Sequence, residues 1–225
     1  MDAFEVLLKS SAAAHGHLCP GQVVGVRMAM LGCRLIGLDA PKRHDQIKKL
    51  IIYVEMDRCT ADAVAHVTGV KLGRRSLKFK DYGIMAATFV NLETGKAFRV
   101  ISTEESRSLT DAYAQGIAEK SARQLEAYQR MPDSVLFRVQ EVKVKIDECD
   151  LPGPTRYKVT CSRCGQVVRD RKEVIEHGAV LCKPCAEDTY FSEAREVTWP
   201  DMNWKPLSRS TQNPKDIEIV ETNCY

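Results

Sequence analysis

"MAATFVNLETGKAFRVI", residues 85–101, reads as two strand-length apolar runs, 85–90 and 97–101, joined by a polar turn. The linking NLETGK carries Gly95, and a short loop containing glycine between two such runs is the pattern of a β-hairpin. Upstream, LIIYV (50–54) is a continuous apolar run of strand length, expected to be buried on both faces. LKFKDY (77–82) alternates, which sends Leu77 and Phe79 inward and Lys78 and Lys80 outward.

Helices are expected over 3–14, 20–37 and 59–69, where apolar residues recur at helical spacing. Pro20 suits a first helical position, and Gly69 stops the third helix. A longer helix fits 104–130, with Leu109, Ala112, Tyr113, Gly116, Ile117, Leu125 and Tyr128 on one stripe and Pro132 as its end. VLFRVQEVKVKI (135–146) reads as a long strand whose apolar set slips by one residue at Gln140–Glu141, the mark of a bulge or a bend. The fold class is therefore α+β.

DLPGPT (150–155) is the linker to a different composition. We expect a core domain over 1–150, a small metal module over 151–190 and a polar tail over 191–225. Trp199, Trp204 and IEIVE (216–220) give that tail some capacity to pack, and Cys224 reads as incidental.

The module carries CSRC (161–164) and CKPC (182–185), two C-x2-C knuckles separated by seventeen residues. Each knuckle presents two sulfurs, so Cys161, Cys164, Cys182 and Cys185 match a four-thiolate zinc site. So short a segment has little core, and metal binding would supply its folding free energy. A closed four-cysteine site leaves no open coordination position, so the Zn2+ here is expected to be structural. Arg156, Lys158, Arg163, Arg169, Arg171 and Lys172 are diluted by Asp170, Glu173, Glu176, Glu187 and Asp188. Docking or stabilisation is favoured, and nucleic acid is not an expected partner.

Composition agrees. The chain has 225 residues, 44% hydrophobic and 28% charged, with a net charge of +3, which gives no global case for a nucleic-acid or membrane-surface protein. The start, MDAFEVLLKSSAAAH, is not a signal peptide, since its apolar run is short and broken by Lys9. No stretch approaches the roughly 20 consecutive apolar residues of a membrane span. A cytoplasmic protein is expected. Nine cysteines in such a chain argue for metal or thiol chemistry rather than a disulfide framework.

HGHLCPGQVVGV (15–26) places His15, His17 and Cys19 on alternate positions before a helix start. In an extended segment, residues two apart point the same way, so the three can converge. Cys19 at a helix N-terminus would have a stabilised thiolate, suited to a soft divalent metal or to nucleophilic chemistry. Cys59 likewise sits between a strand end and a helix start, making a composite site, and Asp62 in the first turn can orient a histidine. The competing reading is structural, because a lone cysteine is commonly a small buried hydrophobe; Cys33 and Cys149 are read that way. His44 is read as solvated and His66 as a helix-face residue. For the triplet, periodicity leaves the two readings even. No phosphate loop, dinucleotide fingerprint or H-E-x-x-H helix is present.

The stretches HGHLCPGQVVGVRM (15–28), EMDRCTADAVAHVTG (55–69), GRRSLKFKDYG (73–83) and ATFVNLETGKAFRV (87–100) resemble the FmdE family, proteins associated with formylmethanofuran dehydrogenase. Several members also carry a C-terminal zinc finger. The resemblance implies an α+β core with an antiparallel sheet, a homodimer, and a cleft lined by histidines and cysteines. It makes His17, Cys19 and Cys59 the metal-binding or catalytic set, holding a second divalent metal such as Zn2+, with His15 and Asp62 in support.

The resemblance also implies a metal- or thiol-dependent, oxidoreductase-associated activity, or an accessory role toward a molybdenum or tungsten enzyme as partner. A zinc-finger interaction adaptor is the third alternative. The chain departs from the family pattern at Val70, where members often have cysteine, and at Arg74 and Arg75. If those arginines face the cleft, they favour an anionic ligand; at a strand edge they are solvated.

Overall fold

Three helices open the chain: α1 (Phe4–His15), α2 (Pro20–Leu35) and the single-turn α3 (His44–Ile47). A computed structural model describes residues 1–195. The expected contributions of Trp199, Trp204, 216–220 and Cys224, and the tail from 196 onward, lie outside the described residues. The chain divides into two units, Met1–Pro154 and a smaller one beginning at Thr155.

In the first unit, strand β1 (Leu50–Val54) leads to α4 (Cys59–Thr68), then to β2 (Leu77–Phe79), β3 (Ala86–Asn91) and β4 (Ala97–Ser102). Next come α5 (Glu104–Ser108), α6 (Thr110–Tyr113), α7 (Lys120–Arg130), α8 (Asp133–Leu136) and β5 (Phe137–Glu141). The sheet runs β2-β1-β3-β4-β5. All its pairs are antiparallel except the edge pair of β1 with β2, which is parallel. The α+β class with an antiparallel-rich sheet is thus observed.

Period-two alternation divides the strands between two cores. Leu50, Ile52 and Val54 of β1, with Ala87, Phe89 and Val100, face α1, α2 and α4. Ile51, Val90 and Ala97 face the other way, beneath Val142, Val144 and Ile146. This explains the slip read at Gln140–Glu141. Regular pairing ends at Glu141, the Val142 N–H donates to the Ala97 carbonyl at 3.0 Å, and the chain then crosses that second face. The strand is shorter than the expected 135–146, and residues 133–136 are helical.

Two other expectations change. Phe79 is exposed while the Lys78 side chain is largely covered, its Nζ 3.7 Å from Asp150. On an edge strand, Phe79 lies beyond the helices, whereas Lys78 lies on the face covered by the segment that ends at Asp150. The long helix over 104–130 is broken. Thr103 caps α5, with its Oγ1 accepting from Ser106 N–H at 3.3 Å. Gly116 takes a φ of 78°, a left-handed conformation that a helix interior cannot hold. Glu119, inside the expected helix, caps α7 by accepting from Ser121 and Ala122 N–H at 2.8 and 2.5 Å.

Arg27 of α2 then anchors the far end of α7. Its Nη1 donates to the carbonyls of Tyr128 and Met131 at 2.6 and 2.5 Å, and its Nη2 pairs with Asp133 at 2.5 Å. These carbonyls are the ones a helix C-terminus leaves without internal partners.

The second unit holds two hairpins, β6 (Lys158–Thr160) with β7 (Val167–Arg169) and β8 (Val174–Glu176) with β9 (Ala179–Leu181), followed by the short α9 (Lys183–Ala186). Its buried core is Cys161, Leu181 and Cys182. Among the described residues, no helix is long and apolar enough to cross a membrane.

Candidate metal centres

His15 is the last residue of α1, not part of the extended segment read from sequence. The chain reverses at Gly16, and Cys19 follows in extended conformation (φ −140°, ψ 164°) as the residue before α2. Its thiol makes no capping bond, so the sulfur is left for other work. The outcome is convergence: one ligand atom each from His15, His17 and Cys19 lie within 4.8 Å of one another.

His15 is held from behind. Its Nδ1 lies 3.0 Å from Asp62 Oδ2, while its buried Nε2 has no hydrogen-bond partner. A buried imidazole nitrogen without a partner is costly, and carboxylate–histidine pairing is the arrangement that fixes a metal-binding tautomer. Two nitrogens and a sulfur are a donor set suited to zinc and similar ions, with a fourth position open. The residues present therefore fit a divalent metal.

Cys59 comes to the same place by helix packing. A Cβ at Gly21 would stand 2.9 Å from Cys59 Cβ, and one at Gly25 would stand 2.6 Å from both Ala63 Cβ and the Thr60 carbonyl. Only glycine at these two positions lets the N-terminal turns of α2 and α4 touch. The Cys59 thiol hydrogen-bonds Cys19 but is not one of the three converging donors. Burial, then the shared hydrogen and charge with Cys19, push its pKa up, while the backbone amide at the α4 N-terminus acts the other way.

Gln22 is a site residue that sequence reading missed. Fully buried, it accepts from Ser11 Oγ at 2.6 Å and donates from Nε2 to the Cys59 carbonyl at 2.8 Å, tying α1, α2 and α4 together. A polar residue inside an apolar helix run was the available signal. The Gly21-x-x-x-Gly25 spacing was the other.

A cavity of about 300 Å³ opens beside Cys19 and Cys59, walled opposite by Glu104 and Arg107 of α5 and Ser121, Gln124 and Tyr128 of α7. A second, of about 360 Å³, lies against His15, Asp62 and His66. His66 Nε2 is 3.1 Å from Ser10 Oγ, and burial followed by nearby Lys42 lowers its pKa. Arg74 and Arg75 line neither cavity. Val70 is buried in the core where family members often have cysteine, and Cys33 and Cys149 are buried.

In the second unit, the sulfurs of Cys161, Cys164, Cys182 and Cys185 lie within 4.8 Å of one another, Cys164 to Cys182 at 3.7 Å. A tetrahedron with metal–sulfur bonds of about 2.3 Å has edges of about 3.8 Å, so the spacing fits. Backbone N–H donors of Cys182 and Cys164 bring the Cys161 thiol down to about 6. The Cys182 thiol and burial push Cys185 up to about 12. Four clustered thiols cannot all ionise without a cation, and a metal relieves that conflict. Both groups could hold metal ions.

The sequence model of a family described as "FmdE, Molybdenum formylmethanofuran dehydrogenase operon" matches residues 14–144. A protein of Archaeoglobus fulgidus named a probable S-adenosyl-L-methionine-binding protein is 25% identical over 206 residues, covering 85% of this chain and 55% of its own length. The chain thus spans about half the length of that relative. Among solved structures, a tungsten formylmethanofuran dehydrogenase FmdE-like protein from Syntrophus aciditrophicus is similar. It has a TM-score of 0.54 at 20% identity, covering 82% of this chain and 92% of that one. At such identity the likeness concerns the fold.

Proposed function

The chain belongs to the FmdE family, and from that premise we propose that it is a metal-binding protein with two unlike centres. One is a structural Zn2+ on Cys161, Cys164, Cys182 and Cys185. The other is a divalent ion, Zn2+ or a close substitute, on His15, His17 and Cys19 with Cys59 alongside. The observation that carries this reading is the buried, partnerless Nε2 of His15, set by Asp62 toward His17 and Cys19.

Asp62 keeps the His15 proton on Nδ1 and leaves the Nε2 lone pair for coordination. Gln22 fixes the Cys59 carbonyl and with it the first turn of α4. A divalent ion bound there supplies an open position at which a substrate oxygen or sulfur is polarised. The centre serves metal- or thiol-dependent chemistry on a small molecule. A homodimer belongs to the same proposal and is checked by sedimentation.

The exposure of His17 favours a second reading. A donor open to solvent suits an ion that exchanges, as in an accessory protein serving a molybdenum or tungsten enzyme. Transfer of the core ion to a partner apoenzyme, without turnover of small molecules, would select it.

Elemental analysis of anaerobically purified protein tests the proposal. Two metal ions per chain are expected, falling to one in His17→Ala/Cys19→Ala. One ion in both proteins would refute the core centre.

A further inference from the structure

Arg107 reaches the cavity because the helix expected over 104–130 is broken. α5 brings its guanidinium to one wall and α7 brings Ser121 and Gln124 beside it. Glu104 takes Arg107 Nη1 at 3.1 Å, and the buried Tyr128 hydroxyl is a second hydrogen-bond partner. A guanidinium has five N–H donors, so a planar acceptor still finds donors on it. The side chains of Ser121 and Gln124 add a hydroxyl and an amide to the same wall. Opposite them stand the thiols of Cys19 and Cys59.

From this geometry we infer that the cavity binds a small carboxylate-bearing molecule. Its carboxylate is held by Arg107, Ser121 and Gln124, and its reacting end lies at Cys19 and Cys59. Arginine's fork matches a carboxylate with two parallel hydrogen bonds. A single guanidinium, partly offset by Glu104, answers one negative charge rather than the two of a phosphate monoester. The volume, about 300 Å³, is at the low end of the roughly 300–1,000 Å³ of small-molecule pockets, which excludes a nucleotide-sized occupant. The inference deepens the proposed function and rests on it only for the reacting end. The carboxylate end stands on the cavity wall alone.

The test compares two thiol reagents of similar size, iodoacetate and the neutral iodoacetamide. In each, a thiolate sulfur forms a bond to carbon and iodide leaves. Protein purified anaerobically is alkylated with each reagent, and the rate at every cysteine is read by peptide mass spectrometry. Cys33 is the internal control: burial pushes its thiol up to about 12 and it lines neither cavity.

At Cys59, and at Cys19 where metal leaves it free, iodoacetate is expected to react faster than iodoacetamide, with a saturating rate that propionate inhibits. Arg107→Gln, at a half-exposed position, should weaken the saturation constant about 10–100-fold, the loss of a charge-assisted hydrogen bond. It should leave the iodoacetamide rates unchanged.

A linear rate without preference for iodoacetate, or a preference that survives Arg107→Gln, overturns the inference. Metal content is measured on the same samples. One ion per chain with the preference intact removes the metal centre but keeps the carboxylate site. Two ions without preference do the reverse.

Discussion

Asp62 touches no other candidate ligand than His15, yet it decides what that histidine can do. Mostly exposed itself, its carboxylate gives little through simple ion pairing; its effect is to fix which ring nitrogen is bare. Asp62→Ala should lower the affinity of the core centre about 10–100-fold, measured by competition with a chromophoric chelator, with the four-cysteine centre unaffected. An unchanged affinity would mean that His15 is positioned by helix α1 alone. The alternation of His15, His17 and Cys19 was legible because all three donors sit within five residues. Gln22 was not, since its worth depends on Ser11 and on the Cys59 carbonyl, which is 37 positions away. Arg74 and Arg75 show the opposite limit, because charge in a sequence does not say which way it faces.

At the scale of elements, the site depends on how closely α2 and α4 cross. Gly25→Val places carbon against the Thr60 carbonyl and Ala63, both fixed parts of α4. It should cost about 1–3 kcal/mol by overpacking, read as a lower urea midpoint with little change in slope. By driving the helices apart it should also reduce core metal content. Full stability with full metal would show that the crossing has slack.

The hairpin and the buried strand β1 were readable because period-two patterning and turn chemistry are local. The break between α5 and α7 was not, although Gly116 and the capping Glu119 were in plain view. An apolar stripe over 109–128 satisfies helical periodicity whether or not the chain is continuous. What the stripe could not report is that Leu109 is exposed and that Arg27, from another helix, closes the end of α7.

Across the whole molecule, the two units should respond differently to loss of metal. The second has three residues in its buried core, too few to hold a fold without bound ions. The first has a helix-covered sheet that needs none. A strong chelator should abolish hydrogen-exchange protection within residues 158–186 while the strands and helices of 1–154 keep theirs. Protection surviving at 158–186 with all metal removed would overturn the structural role given to the four-cysteine centre.

The open fourth position described for the core centre has a consequence for a living cell. An ion with solvent on one side leaves sooner when supply falls, and the domain around it stays folded and resists proteolysis. Scarcity would then silence the chemistry without lowering the amount of protein, so abundance and capability would part company. A count of molecules would look unchanged while the working fraction follows the supply of one trace element.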